Sequence, residues 1–402
     1  MNIFREFRTD RLNFSYDILL ASLAFCLPLS SALPNLLLIP IAVLLFFKYN
    51  GKAISFRPVL FFVFTLVLLI VLAIIKWTLF AEFDFYSRIL ISLLLLLAIP
   101  HVNRLKYLEI AFIGGVLLAT LIATYNVLAF EHFKFSFSIF GNTGAVNKLL
   151  RIERPYFGFL LALVVYLCLR HKTLVYYVIA SFASIFCILI AARLSLGLII
   201  LLWLLWLFQR LKTMGKWRVP LVLGAIFLCG IVLFSNENLK NRFKVQDDMD
   251  RSIALALDYE PRYVIWPCAL TTLNGPVEIL FGLAGNDQLE ERLINCYAEN
   301  IKGNASKKAY YLDEKFNPHN QYLHLLCLGG VVTLVLFLLG FGRIFLGSKI
   351  PFDLKVLAGM FFLFFIFEAL LYRQLGCYLI GLFLGVLARK PVLSSYFKNA
   401  SL

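Results

Sequence analysis

Charge is scarce in this chain: only 15% of its 402 residues are Asp, Glu, Lys or Arg, where a soluble protein carries about 25%. Acids are scarcer than bases, 23 against 38, and histidine occurs five times. That poverty of charge excludes a water-soluble enzyme with one core. Disorder is excluded as well, because its signature is low hydrophobicity. No Walker loop, no H-E-x-x-H and no paired C-x-x-C occurs in the sequence, so ATPase, zinc-protease and thiol-redox readings have nothing to stand on. What the chain has instead is apolar bulk: 61% hydrophobic residues, 40 of them Phe, and a mean hydropathy of +0.85. It is expected to be an all-α polytopic membrane protein.

A spanning helix needs about 20 apolar residues, or as few as about 17 in a bundle. On that rule about 12 spans are expected, near 17–32, 33–47, 59–75, 89–100, 108–130, 156–169, 174–192, 195–208, 219–234, 320–341, 354–371 and 375–388. Several are short, and the pairs around Pro34, Arg193 and Arg373 could be re-entrant. The first lacks a small-residue cleavage site, so it is expected to stay as a span rather than act as a signal peptide. The organisation expected is residues 1–234 as spans one to nine, 235–318 as one large loop, and 319–402 as spans ten to twelve with a short tail.

The net charge of +15 looks at first like a nucleic-acid footprint. Its distribution says otherwise. With both termini placed in the cytoplasm, 20 of the 38 Lys and Arg residues fall on the cytoplasmic side with 5 acids, and the other 18 face 18 acids on the external side. The whole excess is therefore the positive-inside bias of a membrane protein. No nucleic-acid partner is implied. The large loop is external on this count, and the arginines at external span ends, Arg88, Arg151, Arg154, Arg193 and Arg373, need a local reason.

Six of the eight cysteines lie in spans as small packing residues. Cys268 and Cys296 share the external loop and could pair in an oxidising compartment; spacing alone does not establish it. Of the histidines, His101 and His171 fall among cytoplasmic basic residues and are expected to be solvated, leaving His132, His319 and His324 outside. Asn317 and Pro318 read as a helix N-cap and first turn, which puts His319 in the first turn of a membrane helix. The positive helix end disfavours an imidazolium there and suits a general base. Three further residues carry geometry suited to phosphate: Arg193, Arg262 and Arg373, planar forks that bind phosphates bidentately. Glu368, five residues before Arg373, could simply neutralise it. Asp248-Met249-Asp250 matches a metal-chelating D-x-D but sits in an acidic run on the wrong side for nucleotide sugars, and Asn304-Ala305-Ser306 is a weak glycosylation sequon.

These residues resemble the O-antigen ligase and O-antigen polymerase superfamily of membrane glycosyltransferases. The pattern is carried by His319, Asn320, nine residues through Gly329, then Gly330, two valines and Thr333. Arg193 between two short spans, Arg262 with Trp266, Phe281-Gly282-Leu283-Ala284-Gly285, and Glu368 with Arg373, Gln374 and Gly376 are similar to the family too. The likeness covers about 154–388. It implies a GT-C-like bundle in a bacterial inner membrane with its active site facing the periplasm. The implied reaction moves a glycan from undecaprenyl pyrophosphate to a sugar hydroxyl of lipid A core, with inversion and without metal or cofactor. The alternative implied is a repeat-unit polymerase, or more distantly a protein-glycosylating relative. A polyprenyl-glycan transporter is an alternative from another class, against which stands the clustering of the unusual charges at one membrane face. On this reading His319 is the catalytic base. Arg193, Arg262, Arg373, Asn320, Arg154 and Arg88 bind substrate, and His324 is a packed polar residue.

Overall fold

The computed structural model describes residues 11–48, 58–130, 150–171, 173–210, 261–301 and 305–388. The expected span at 219–234, the D-x-D at Asp248, the sequon at Asn304 and His132 lie outside the described residues. Every regular element among the described residues is helical. Among the described residues, four helices are long and apolar enough to cross a membrane: Phe83–His101, Leu105–Asn126, Arg193–Arg210 and Gln321–Leu346. Shorter apolar helices run over Ala32–Lys48, Leu60–Ile75, Leu174–Leu189 and Gln374–Ala388. The chain is thus a helical protein with the material for membrane insertion.

In chain order the α-helices of six or more residues are α1 (Arg11–Cys26), α2 (Ala32–Lys48), α3 (Leu60–Ile75), α4 (Phe83–Ala98), α5 (Leu105–Phe130), α6 (Arg154–Arg170), α7 (Leu174–Leu189) and α8 (Arg193–Arg210). They continue as α9 (Arg262–Leu270), α10 (Pro276–Phe281), α11 (Asn286–Asn300), α12 (Ala305–Glu314), α13 (Gln321–Leu346), α14 (Phe352–Phe365) and α15 (Gln374–Leu379). The chain divides into two compact units, one of Met1–Asp17, Leu38–Asn103 and Asp258–Leu402, the other of Ile18–Leu37 and Arg104–Leu257.

In the second unit α6 is the central helix. Every residue from Tyr156 to Cys168 is buried, as expected of a helix that is apolar all round. Gly158 lets α8 close on it, because a Cβ there would lie 2.5 Å from that of Ala192. At the far end Glu109 of α5 pairs with Arg170 at 2.8 Å and lies 3.6 Å from His171, whose ring stacks on Tyr176. His171 is therefore bound into an ionic cluster. The expectation of a solvated loop residue fails because Glu109, in a long apolar helix, needs compensating charge.

In the first unit α3 packs along α13. Phe62 meets the ring edges of Phe337 and Phe341, and Gly340 makes room for it. Gly381 lies against Leu95, Gly385 lies against Ile99, and the buried Ser92 hydroxyl donates to the Cys377 carbonyl at 2.8 Å. Small residues and one interhelical hydrogen bond are what hold helices together where lipid removes the hydrophobic drive.

Gly330 bends α13. Its φ of 67° is left-handed, a conformation nearly free for Gly and costly for other residues. The carbonyls of Cys327 and Leu328, whose helical partners would be the N–H groups of Val331 and Val332, instead accept from Leu283 and Ala284 at 2.8 Å each. Gly282, also left-handed, lets that Phe281–Gly285 segment approach, since a Cβ there would strike the Leu328 carbonyl carbon at 2.3 Å. Lys76 then donates to the Gly282 carbonyl at 2.8 Å, and Tyr86 to that of Ala284 at the same distance. A disulfide joins Cys268 of α9 to Cys296 of α11. Arg292 clamps Glu278 with two contacts of 2.7 and 2.8 Å.

Candidate functional site

After Phe365 the regular α-helix gives way, and regular helix resumes only at Gln374. The strap between them, from Ile366 to Arg373, gathers side chains from three other elements of the first unit. Arg262 opens α9 behind Pro261, whose φ of −57° suits a helix start. Its Nη2 donates to the Phe367 carbonyl at 3.1 Å and lies 3.8 Å from Glu368 Oε1. His319 Nδ1 lies 3.4 Å from the other Glu368 oxygen. Gln321 Oε1 accepts from the Leu371 N–H at 2.8 Å, and Arg88 donates to the Tyr372 carbonyl at 2.8 Å.

His319 does not sit in a helical turn. Asn320 is the N-cap of α13, its Oδ1 accepting from the N–H groups of Tyr322 and Leu323 at 2.9 and 3.0 Å. Asn317 instead binds only the His319 N–H, at 2.8 Å. The expected cap at Asn317 loses because Asn320 satisfies two orphan helix donors where Asn317 satisfies none. His319 is left just ahead of the helix with φ 45°, a left-handed conformation that is uncommon outside Gly and concentrates at functional sites. Asn320 Oδ1 is committed to the cap and does not orient His319.

Glu368 is 8% exposed in its side chain, against 27% for His319 and 28% for Arg262. The carboxylate is thus the buried centre of the cluster, and the imidazole and the guanidinium reach outward from it. The expectation that Glu368 neutralises Arg373 is corrected: its oxygens face His319 and Arg262, and the exposed Arg373 lays its guanidinium over the Tyr372 ring at 5.5 Å. His324 is fully packed, its ring edge-on to Phe85 and Tyr372 at 5.8 and 5.9 Å, with no hydrogen-bond partner for either nitrogen.

Of the seven residues singled out by sequence, His319, Asn320, Arg262, Arg373 and Arg88 converge on or beside this strap. Arg88 does so from the second turn of α4, since that helix begins at Phe83, six residues earlier than hydropathy places it. Arg154 and Arg193 belong to the second unit, as the first residues of α6 and α8. Those two helix starts adjoin, with Ser195 Oγ donating to the Pro155 carbonyl at 3.5 Å. Sequence reasoning missed the role of Tyr372 and the buried anchor Gln321. Their signal was a polar residue at the head of an apolar span and a break in apolar periodicity after Phe367. Among the described residues no group of three His, Cys, Asp or Glu side chains is placed to hold a metal ion. Neither a protein-family model nor a curated protein matches the chain.

Proposed function

We propose that the chain is a membrane glycosyltransferase of the O-antigen ligase kind, moving a glycan from undecaprenyl pyrophosphate to a sugar hydroxyl of lipid A core. The proposal includes about twelve spans in a bacterial inner membrane, with the loop that carries α9 to α12 facing the periplasm. The observation that carries it is the Glu368 carboxylate shared between His319 and Arg262. It couples a base to a cation suited to phosphate, beside the residues of the His319 to Thr333 pattern. The disulfide in the loop suits an oxidising compartment.

Glu368 favours the imidazole tautomer with the proton on Nδ1, which leaves Nε2 as the lone pair for substrate. The acceptor oxygen attacks the anomeric carbon from the face opposite the pyrophosphate. As the new C–O bond forms, the hydroxyl proton passes to His319 Nε2, and the old C–O pair leaves with the pyrophosphate. Arg262 and Arg373 balance the charge that develops on that leaving group, an electrostatic contribution rather than an activation. The proton transfer itself contributes about 10²–10⁴-fold. Asn320 and Arg88 complete the substrate-binding set of the first unit.

In a strain lacking the protein, long polymer should accumulate on the lipid carrier while the core stays bare. Core carrying one repeat unit would instead identify a polymerase, and unchanged lipopolysaccharide would contradict both.

A further inference from the structure

A cleft of about 370 Å³ opens between the start of α4 and the start of α11, in the first unit. Its walls include Asp84, Arg88, Asn286, Asp287 and Tyr372. A helix N-terminus is ordinarily a place for an anion. That of α11 is already filled, because the buried Glu82 carboxylate accepts from the N–H groups of Asn286 at 2.5 Å and Asp287 at 3.1 Å. The side chains left facing the space are two exposed carboxylates, Asp84 and Asp287, against one guanidinium, Arg88. A pyrophosphate is repelled by that balance. Sugar hydroxyls suit it, since carboxylate, amide and guanidinium together accept from and donate to them. Phe80 and Phe83 stand at the rim, 78% and 57% exposed, as flat apolar faces for sugar rings. Tyr372 and Asn286 also wall a smaller cleft over Asn317 and Pro318, the turn that carries His319. Tyr372 and Asn286 thus belong to the walls of both spaces.

We infer that this cleft binds a hydroxyl-rich oligosaccharide, the acceptor, and presents one of its hydroxyls past Tyr372 to His319. The word acceptor rests on the transferase reading above; the affinity for oligosaccharide does not. Arg88 is then an acceptor-side residue, and the donor phosphates fall to the Arg262 and Arg373 side.

The test uses the full chain in lipid nanodiscs. The probes are core oligosaccharide released from the host's lipopolysaccharide by mild acid, and undecaprenyl pyrophosphate. Oligosaccharide binding, read by saturation-transfer NMR and titration, should weaken about tenfold or more in D84N/D287N through lost charge-assisted hydrogen bonds. Binding of undecaprenyl pyrophosphate should not change. F80A, at an exposed rim position, should weaken the oligosaccharide severalfold without affecting the melting temperature, and it decides the matter if the double variant fails to fold. The inference is overturned if the wild type does not bind the oligosaccharide, if variants bind it equally, or if undecaprenyl pyrophosphate is lost instead. Oligosaccharide binding without any transfer would sink the enzyme reading and leave the cleft assignment standing.

Discussion

Glu368→Gln removes one charge and almost no volume, and the site makes its cost calculable. On the proposed mechanism, proton transfer to His319 would form an imidazolium whose Nδ1 lies 3.4 Å from Glu368 Oε2. At an effective dielectric of about 20, charges at that separation attract by about 5 kcal/mol. Arg262, 3.8 Å from the other oxygen, already draws on the same carboxylate, so the gross figure is a ceiling. The net value of a hydrogen bond to a charged group, about 1.5–3 kcal/mol, is the better measure. It corresponds to a fall in kcat of about 10- to 150-fold. Because the interaction strengthens only as the proton moves, the acceptor KM should stay within about threefold. The assay is glycan transfer from undecaprenyl pyrophosphate to lipid A core by the purified chain, with both substrates varied. Glu368→Asp keeps the charge and should recover part of kcat. A kcat within threefold of wild type in E368Q would refute the reasoning. So would an equal loss in E368D tracking a lowered melting temperature, which is the mark of a merely structural residue.

Four further outcomes concern the scaffold. Gly330→Ala forces a side chain into a left-handed φ and puts its Cβ 2.2 Å from the Leu280 carbonyl carbon; the conformation alone costs about 1–2 kcal/mol, so the melting temperature should drop clearly. Gly342→Ala in the same helix meets nothing within 4 Å and should be neutral or gain up to about 1 kcal/mol. The Arg292 hydrogen bonds hold the Glu278 carboxyl down to about 2. Its contribution to stability is therefore complete above the ordinary glutamate range, about 4.3, and drains away as pH falls toward 2; protease cutting in the loop should rise over that window, and R292A should weaken the dependence, leaving the part held by the Asn274 N–H and Lys76. Cys268→Ser opens a bridge 28 residues apart in sequence, for which chain entropy gives about 3–4 kcal/mol. Limited proteolysis between α9 and α11 should accelerate under reduction in the wild type and not in the variant.

The apolar spans were legible because burial in lipid or in a helix bundle writes continuous runs into the sequence. The ends of α2, α3 and α6 fall within two residues of where hydropathy puts them. Ends governed by capping were not legible in the same way. Asn317 and Asn320 both read as caps, and only the fold tells which one meets free helix N–H groups. Arg88 was placed outside its span because Phe83, Asp84 and Phe85 mix charge into the first turn of α4. The candidate site was half visible. His319, Arg262 and Glu368 could be named from residue type and position, but which of two arginines Glu368 faces depends on the strap folding back after Phe367, and no local pattern encodes that return. Gly330 is the reverse case: it stood out only as part of the resemblance, and the structure supplies its physical reason, a left-handed bend that frees two carbonyls for the Phe281–Gly285 segment.

The central claim is that His319 takes the proton from a sugar hydroxyl while pyrophosphate leaves. It is tested most directly by reconstituting the purified chain with lipid-linked glycan and lipid A core, and comparing the wild type with H319A at saturating substrates. The wild type should give glycosylated core and H319A should form it about 10²–10⁴-fold more slowly, with undecaprenyl pyrophosphate binding intact. Product formed equally fast by H319A, or none formed by the wild type, would contradict it.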